Sequence, residues 1–261
     1  MNILFAVIVV AVIGLIAGIG LSVASVLMSV PVDKKVEEVQ AVLPGANCGA
    51  CGFSGCDGYA EAVCNGSAKP GLCSVGGEAV GIAIGNILGI EASACEPKTA
   101  CVLCNGGCDK VFERFEYVGL QSCSAANMLY SGNSSCIYGC LGYGDCQKAC
   151  VFNAISIDNR KATVNPELCK GCGACVTACP KGIISMLPKK SHAVVLCSNT
   201  EKGGVSRKNC TASCIGCKLC EKSCELDAVC VVDNLAVVNY DKCTACGACV
   251  EKCPQGCIII E

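Results

Sequence analysis

The fold turns on Cys169-Lys170-Gly171-Cys172-Gly173-Ala174-Cys175-Val176-Thr177-Ala178-Cys179-Pro180, four cysteines with gaps of two, two and three residues closed by a proline. The same run returns 74 residues later as Cys243, Cys246, Cys249, Cys253 and Pro254. That offset carries the match outwards. Cys123, Cys136, Cys140, Cys146 and Cys150 fall on Cys197, Cys210, Cys214, Cys220 and Cys224, while Gly173-Ala174 falls on Gly247-Ala248 and Gly182 on Gly256. Self-similarity at a fixed period marks a duplicated module, here residues 123–187 repeated over 197–261, so that 123–187 is a first module and 188–261 a second.

Cysteine supplies 30 of the 261 residues, and the rest of the apolar material is lean: there is no Trp, and Tyr and Phe number six and five. Cross-links or metals must therefore supplement the core. The single histidine, His192, rules against Ser/His/Asp triads, His-rich zinc enzymes and two-histidine Rieske centres. A formal charge of −2 argues against a nucleic-acid partner.

Residues 2–30 contain no charge, and residues 3–28 are almost wholly apolar, longer than the ~20 residues that cross a bilayer. The stretch reads as one transmembrane helix; a signal peptide would want a basic start. Lys34 and Lys35 follow it and no Lys or Arg precedes it. The positive-inside tendency then puts the rest of this single-pass cell-membrane protein in the cytoplasm, where thiols stay reduced and act as metal ligands. Gly14, Gly18 and Ser22 form a small-residue stripe suited to a neighbouring helix. Val36, Val39 and Leu43 then fall at helical spacing until Pro44-Gly45 stops the pattern.

The Pro-terminated runs are those of a protein with paired [4Fe–4S] clusters, in which three cysteines of a run hold one cluster and the fourth reaches to the other. In the second module Cys214, Cys217, Cys220 and Cys253 are one expected set, and Cys224, Cys243, Cys246 and Cys249 the other. In the first, Cys150 joins Cys169, Cys172 and Cys175, but Tyr143 stands where the repeat expects a cysteine. Cys136, four residues before Cys140, is the nearest replacement, giving Cys136, Cys140, Cys146 and Cys179; a three-iron cluster or a non-cysteine ligand is the rival. Closer to the amino terminus, Cys48, Cys51, Cys56 and Cys73 form another set, with Gly49, Gly52 and Gly55 allowing a tight loop whose N–H groups face the sulfurs. Zinc is the alternative there.

Ten cysteines remain. Cys101, Cys104 and Cys108, with Cys123 or Cys95 as fourth ligand, are candidates for a sixth cluster. Cys197 and Cys210 serve either another cluster or the packing; Cys64, Cys230 and Cys257 read as packing residues. The alternations Ala154-Ile155-Ser156-Ile157 and Ala228-Val229-Cys230-Val231-Val232 read as small strands. The expected fold class is α+β: a single transmembrane helix (1–30), a small four-cysteine Fe–S domain (31–98), a Cys-rich connector (99–122) and tandem two-[4Fe–4S] ferredoxin-like modules.

The apolar helix, the segment Leu43-Pro44-Gly45-Ala46-Asn47-Cys48-Gly49-Ala50-Cys51-Gly52 and the ferredoxin-like modules together resemble the B subunit of the Rnf complex, the membrane-bound ferredoxin:NAD⁺ oxidoreductase of bacteria, in its anaerobe form. The resemblance spans essentially the whole chain. It implies acceptance of electrons from soluble ferredoxin and their delivery to flavin-bearing and other membrane subunits, which couple the flow to Na⁺ or H⁺ transport. The residues agree independently: at least five clusters in tandem make a wire, no dinucleotide fingerprint provides an NAD⁺ site, and the apolar helix has no ionisable residue for an ion path. A relay subunit of another membrane respiratory or hydrogenase complex would share the wire, and a zinc-stapled structural protein would be redox-silent. Five oxidised clusters with thiolate ligands, at roughly −2 each, would make the folded protein distinctly acidic.

Overall fold

Each repeat is built on a hairpin, as the alternation of its residues predicts. In the computed structural model, which describes residues 2–27, 33–91, 96–190 and 192–260, β2 (Ile155–Asp158) pairs antiparallel with β3 (Lys161–Val164), Ile155 opposite Val164. The second module repeats this at the same offset, with β6 (Val229–Val232) against β7 (Leu235–Val238) and Val229 opposite Val238. Inward positions carry the packing: Ile155, Ala162, Val229 and Ala236 are buried between the cysteine loops. Cys230 points the other way and is exposed, so its expected packing role does not hold. Cys257 is 1 % exposed and packs in the second core.

The edge strands redraw the module boundary. β1 (Lys98–Val102) pairs antiparallel with β4 (Ile184–Pro188), with Ala100 opposite Met186. In the second module β5 (Ala193–Val195) pairs with β8 (Ile258–Ile260), with Ala193 opposite Ile260. Residues 98–102, read from the sequence partly as connector, are thus the edge strand of the first module. Ala100 and Ala193 are equivalent, each donating its backbone N–H to a cysteine Sγ at 3.4 Å, of Cys169 and Cys243 respectively. One step along, Leu103 donates to Ile183 O and Leu196 to Cys257 O, both at 2.7 Å. The edge strands are therefore related by an offset of 93, and the structural counterpart of Cys197 is Cys104, not Cys123.

Upstream, α2 (Lys34–Val42) starts at an N-cap where Asp33 accepts from the Lys35 N–H. It buries Val36 and Val39 against α3 (Cys56–Cys64) and α4 (Gly77–Leu88), around Tyr59 and Ile84. Complete burial of a side chain such as Ile84 contributes about 1.5–3 kcal/mol, a substantial share for so small a core. Ahead of it, α1 (Asn2–Leu27) is helical over 26 residues with no acidic or basic residue in its end turns. Its side chains from Val10 to Leu21 are largely uncovered, Val10, Leu15 and Leu21 each being more than half exposed. Among the described residues no helix is long and apolar enough to cross a membrane.

Candidate functional site

None of the described cysteines is disulfide-bonded, and most of them gather in fours. Cys48, Cys51, Cys56 and Cys73 line one cavity, as expected. Gly49 and Gly52, at φ +71° and +89°, give the loop its left-handed bends, and Asn47 Oδ1 accepts the Cys56 N–H at 2.7 Å to dock the loop on α3. Buried Tyr59 holds the other end: its hydroxyl donates to Lys69 O at 3.0 Å and accepts from Leu72 N–H at 3.1 Å, just before Cys73.

Cys214, Cys217, Cys220 and Cys253 share a second cavity, and Cys224, Cys243, Cys246 and Cys249 a third, wider one; both sets are those expected. Cys150, Cys169, Cys172 and Cys175 are also brought together. Burial first, then the charges of Cys169, Cys172 and Cys150, push the Cys175 thiol up to about 11. The α-helical turns α6 (Asp145–Lys148), α7 (Ala174–Ala178), α9 (Leu219–Lys222) and α10 (Ala248–Glu251) each carry one cysteine of a set inward.

The fourth ligand position beside Tyr143 is filled differently from the expectation. Cys123, at the start of α5 (Cys123–Met128), lines a cavity with Cys140, Cys146 and Cys179. Cys136 does not line it. The Cys146 thiol is pushed up to about 12 by burial and by Cys140, Cys123 and Cys179. Tyr143 turns away from the sulfurs, its ring 5.6 Å from that of Tyr117 and its hydroxyl 3.3 Å from Asn133 Oδ1. Asp145, at the start of α6, accepts the Ser124 N–H at 2.9 Å and so holds the first turn of α5, with Cys123, against that of α6.

Cys136 lies instead with Cys104, Cys197 and Cys210 around a further cavity. The expected grouping of Cys101, Cys104, Cys108 and Cys123 is thereby dispersed. Cys101 packs with Leu187 and Val194 on the other side of β1, because strand neighbours alternate in direction. Cys108 is exposed and hydrogen-bonded to Asn159. Cys95, its other proposed partner, falls outside the described residues. Cys64 is half-buried at the end of α3.

The donor set fits iron–sulfur clusters on observations internal to the protein. Backbone N–H groups point at the sulfurs: Gly76 at Cys73 (3.3 Å), Ala154 at Cys150 (3.3 Å) and Ala228 at Cys224 (3.2 Å). Ser74 Oγ, on a residue that lines the cavity of the Cys48 set, is buried with no hydrogen-bond partner, a donor left free for an occupant. Cys257 contributes from outside a set, its thiol 3.5 Å from Cys253 Sγ. Its hydrogen bond to Cys214 draws that thiol down to about 6 and raises its own.

The sets also adjoin one another. The Cys140 N–H donates to Cys104 Sγ and the Cys214 N–H to Cys197 Sγ, both at 3.3 Å. Burial, and then the charges of neighbours that include Cys48 and Cys150, raise the Cys172 thiol.

Comparison with known proteins agrees with this chemistry. Residues 43–75 match the family model "Putative Fe-S cluster", and residues 162–185, 236–259 and 211–227 match "4Fe-4S binding domain" models. The chain is 44 % identical over 246 residues to the B subunit of the Na⁺-translocating ferredoxin:NAD⁺ oxidoreductase complex of Acetobacterium woodii, covering 94 % of this chain and 74 % of that protein. It is 39 % identical to the B subunit of the ion-translocating oxidoreductase complex of Methanosarcina acetivorans, covering 94 % and 93 %. To the B subunit of the proton-translocating ferredoxin:NAD⁺ oxidoreductase complex of Clostridium ljungdahlii it is 42 % identical, covering 96 % and 90 %. With iron–sulfur modules at the matched positions and relatives of this length and identity, the chain belongs to the B subunits of the Rnf-type ion-translocating oxidoreductase complexes and is an electron-transfer subunit of that class.

Proposed function

We propose that the chain takes electrons singly from reduced soluble ferredoxin and passes them, through [4Fe–4S] clusters in at least five cysteine sets, to flavin-bearing and other membrane subunits that reduce NAD⁺ and move Na⁺ or H⁺. The observation that carries this reading is the gathering of twenty cysteines into five sets with N–H donors aimed at their sulfurs. The sets are Cys48/51/56/73, Cys150/169/172/175, Cys123/140/146/179, Cys214/217/220/253 and Cys224/243/246/249. A bound [4Fe–4S] cluster supplies a one-electron centre whose potential follows hydrogen bonding, charge and exposure.

The protein does the rest. Its backbone donors offset part of the thiolate charge and favour the reduced state. Burial keeps water off the inner sulfurs, and the exposed Cys217 and Cys246 leave both sets of the second module accessible to a donor. From that module electrons run inward to the Cys48 set, which follows the apolar helix in the chain. Without metal the buried thiols of Cys146 and Cys220, raised by burial, hold their protons, so their ligation exchanges thiol protons for iron. The uncovered apolar surface of α1 supports a single membrane span, with the following chain on the cytoplasmic side by Lys34 and Lys35.

Iron and sulfide analysis with low-temperature EPR of the anaerobically purified chain tests this. About 20 irons or more per chain are expected, with signals on reduction; zinc in place of iron would overturn it.

A further inference from the structure

The fourth cavity joins the two modules, and its lining is two-fold. Cys104 follows β1 and Cys197 follows β5 at equivalent points, while Cys136 and Cys210 are equivalent at the 74-residue offset, so each module contributes the same pair of thiols. The surroundings repeat as well. Gly106 N–H donates to Cys104 Sγ at 3.4 Å and Asn199 N–H to Cys197 Sγ at 3.5 Å, and each of these sulfurs takes its second bond from a cysteine N–H of its own module's adjoining set, Cys140 and Cys214 respectively. All four thiols are buried. The seam closes around them through Asn105 N–H to Leu196 O at 3.1 Å and Ser198 Oγ to Leu103 O at 2.9 Å.

The geometry points to a sixth [4Fe–4S] cluster, held by Cys104, Cys136, Cys197 and Cys210, that bridges the modules and relays electrons between them. Four soft thiolates and no oxygen or imidazole ligand restrict the occupant to zinc or an iron–sulfur cluster, and the surroundings favour the cluster. Glycines pack against the sulfurs: a Cβ on Gly106 would lie in van der Waals contact with Cys210 Sγ (3.5 Å) and Cys104 Sγ (3.6 Å), and one on Gly139 with Cys136 Sγ (3.6 Å). Polar donors face the space: Asn199 Nδ2, on a fully buried residue, lies 3.7 Å from Cys136 Sγ, and Ser134 Oγ is buried in the cavity wall without a partner. The family models matched to this chain leave all four cysteines unassigned.

The relay role rests on the proposal that the flanking sets hold clusters. One electron arrives from the adjoining site of one module, which is oxidised by one electron as the bridge is reduced, and leaves to the adjoining site of the other; no bond is made or broken.

The full chain, reconstituted anaerobically with iron and sulfide to saturation, should bind about 24 irons, and Cys136→Ser/Cys210→Ser should lose about four while the EPR signals of the other sites persist. Cys230→Ser, outside every set, should retain them all. Saturation of the unmodified chain at about 20 irons, with or without one bound zinc, would overturn the bridge alone. Absence of iron from every set would overturn the broader reading and the bridge with it. The count on the unmodified chain decides even if the double variant misfolds.

Discussion

Asp145 Oδ2 accepts a 2.9 Å hydrogen bond from the backbone N–H of Ser124, tying the first turn of α5 to the first turn of α6. The same oxygen takes bonds from Ser122 Oγ at 2.9 Å and Ser124 Oγ at 3.1 Å, so the residue next to Cys146 clamps the residues on either side of Cys123. Asp145→Asn should cost about 1–2 kcal/mol and speed iron loss from the Cys123/140/146/179 set, read as the decay of one EPR signal. Burial alone would raise this carboxyl; the N–H groups of Ser124 and Cys123 and the two hydroxyls outweigh it and hold the pKa below the ordinary carboxylate value. A lowered folded pKa means that the clamp is fully present above about pH 4 and is lost as pH falls through the folded value. The acid limb of iron release should therefore flatten in the Asn variant.

Cys123 and Tyr143 form a compensating pair. Cys123→Ser should remove or alter one cluster, and adding Tyr143→Cys should restore it, because the new thiol stands at the register of Cys217. Iron content and EPR of the single and double variants check this; a double variant no better than the single would show that α5 has a role besides supplying the ligand.

Ser74→Ala removes a hydroxyl that has no protein partner, so fold stability and iron content should be unchanged. The potential of the amino-terminal cluster should fall, since one donor to its sulfur is lost. Redox titration monitored by EPR reads the shift, and an unmoved potential would mean that the hydroxyl does not reach the cluster.

Gly171 has φ +68°, and a Cβ there would meet Lys98 O at 2.5 Å, the first carbonyl of β1. Gly171→Ala should therefore destabilise the first module by more than the roughly 1–2 kcal/mol of a left-handed L-residue, because β1 must also shift. The repeat places Ala245 at the equivalent position with φ +57°; Ala245→Gly should be close to neutral, the relief of strain being offset by the entropy of glycine. Thermal unfolding of both variants tests the asymmetry.

Ligand sets spaced within a single turn were legible in the sequence, because the gaps in the Cys169 and Cys243 runs are local geometry written directly in residue numbers. The same holds for the hairpins, whose alternation at Ile155 and Val229 needs only the strand period, and for α2, whose apolar spacing at Val36 and Val39 needs only the helical one. What escaped was long-range. The loop between the edge strand and the hairpin is 19 residues longer in the first module, so a search at constant offset pairs Cys123 with Cys197 by coincidence and hides the equivalence of Cys104. Only the pairing of β1 with β4 and of β5 with β8 reveals it. The signal available was the gap of four residues from Cys136 to Cys140, repeated from Cys210 to Cys214, which marks both first members as a pair with a common role.

The seam between the modules has a further consequence. Two thiols from each repeat meet there, so the inclusion that carries current across the boundary also rivets the halves together. An oxidant that strips iron from that point parts the circuit and loosens the joint in one event, leaving two isolated segments instead of a leaking conductor. Such a junction behaves as a fuse.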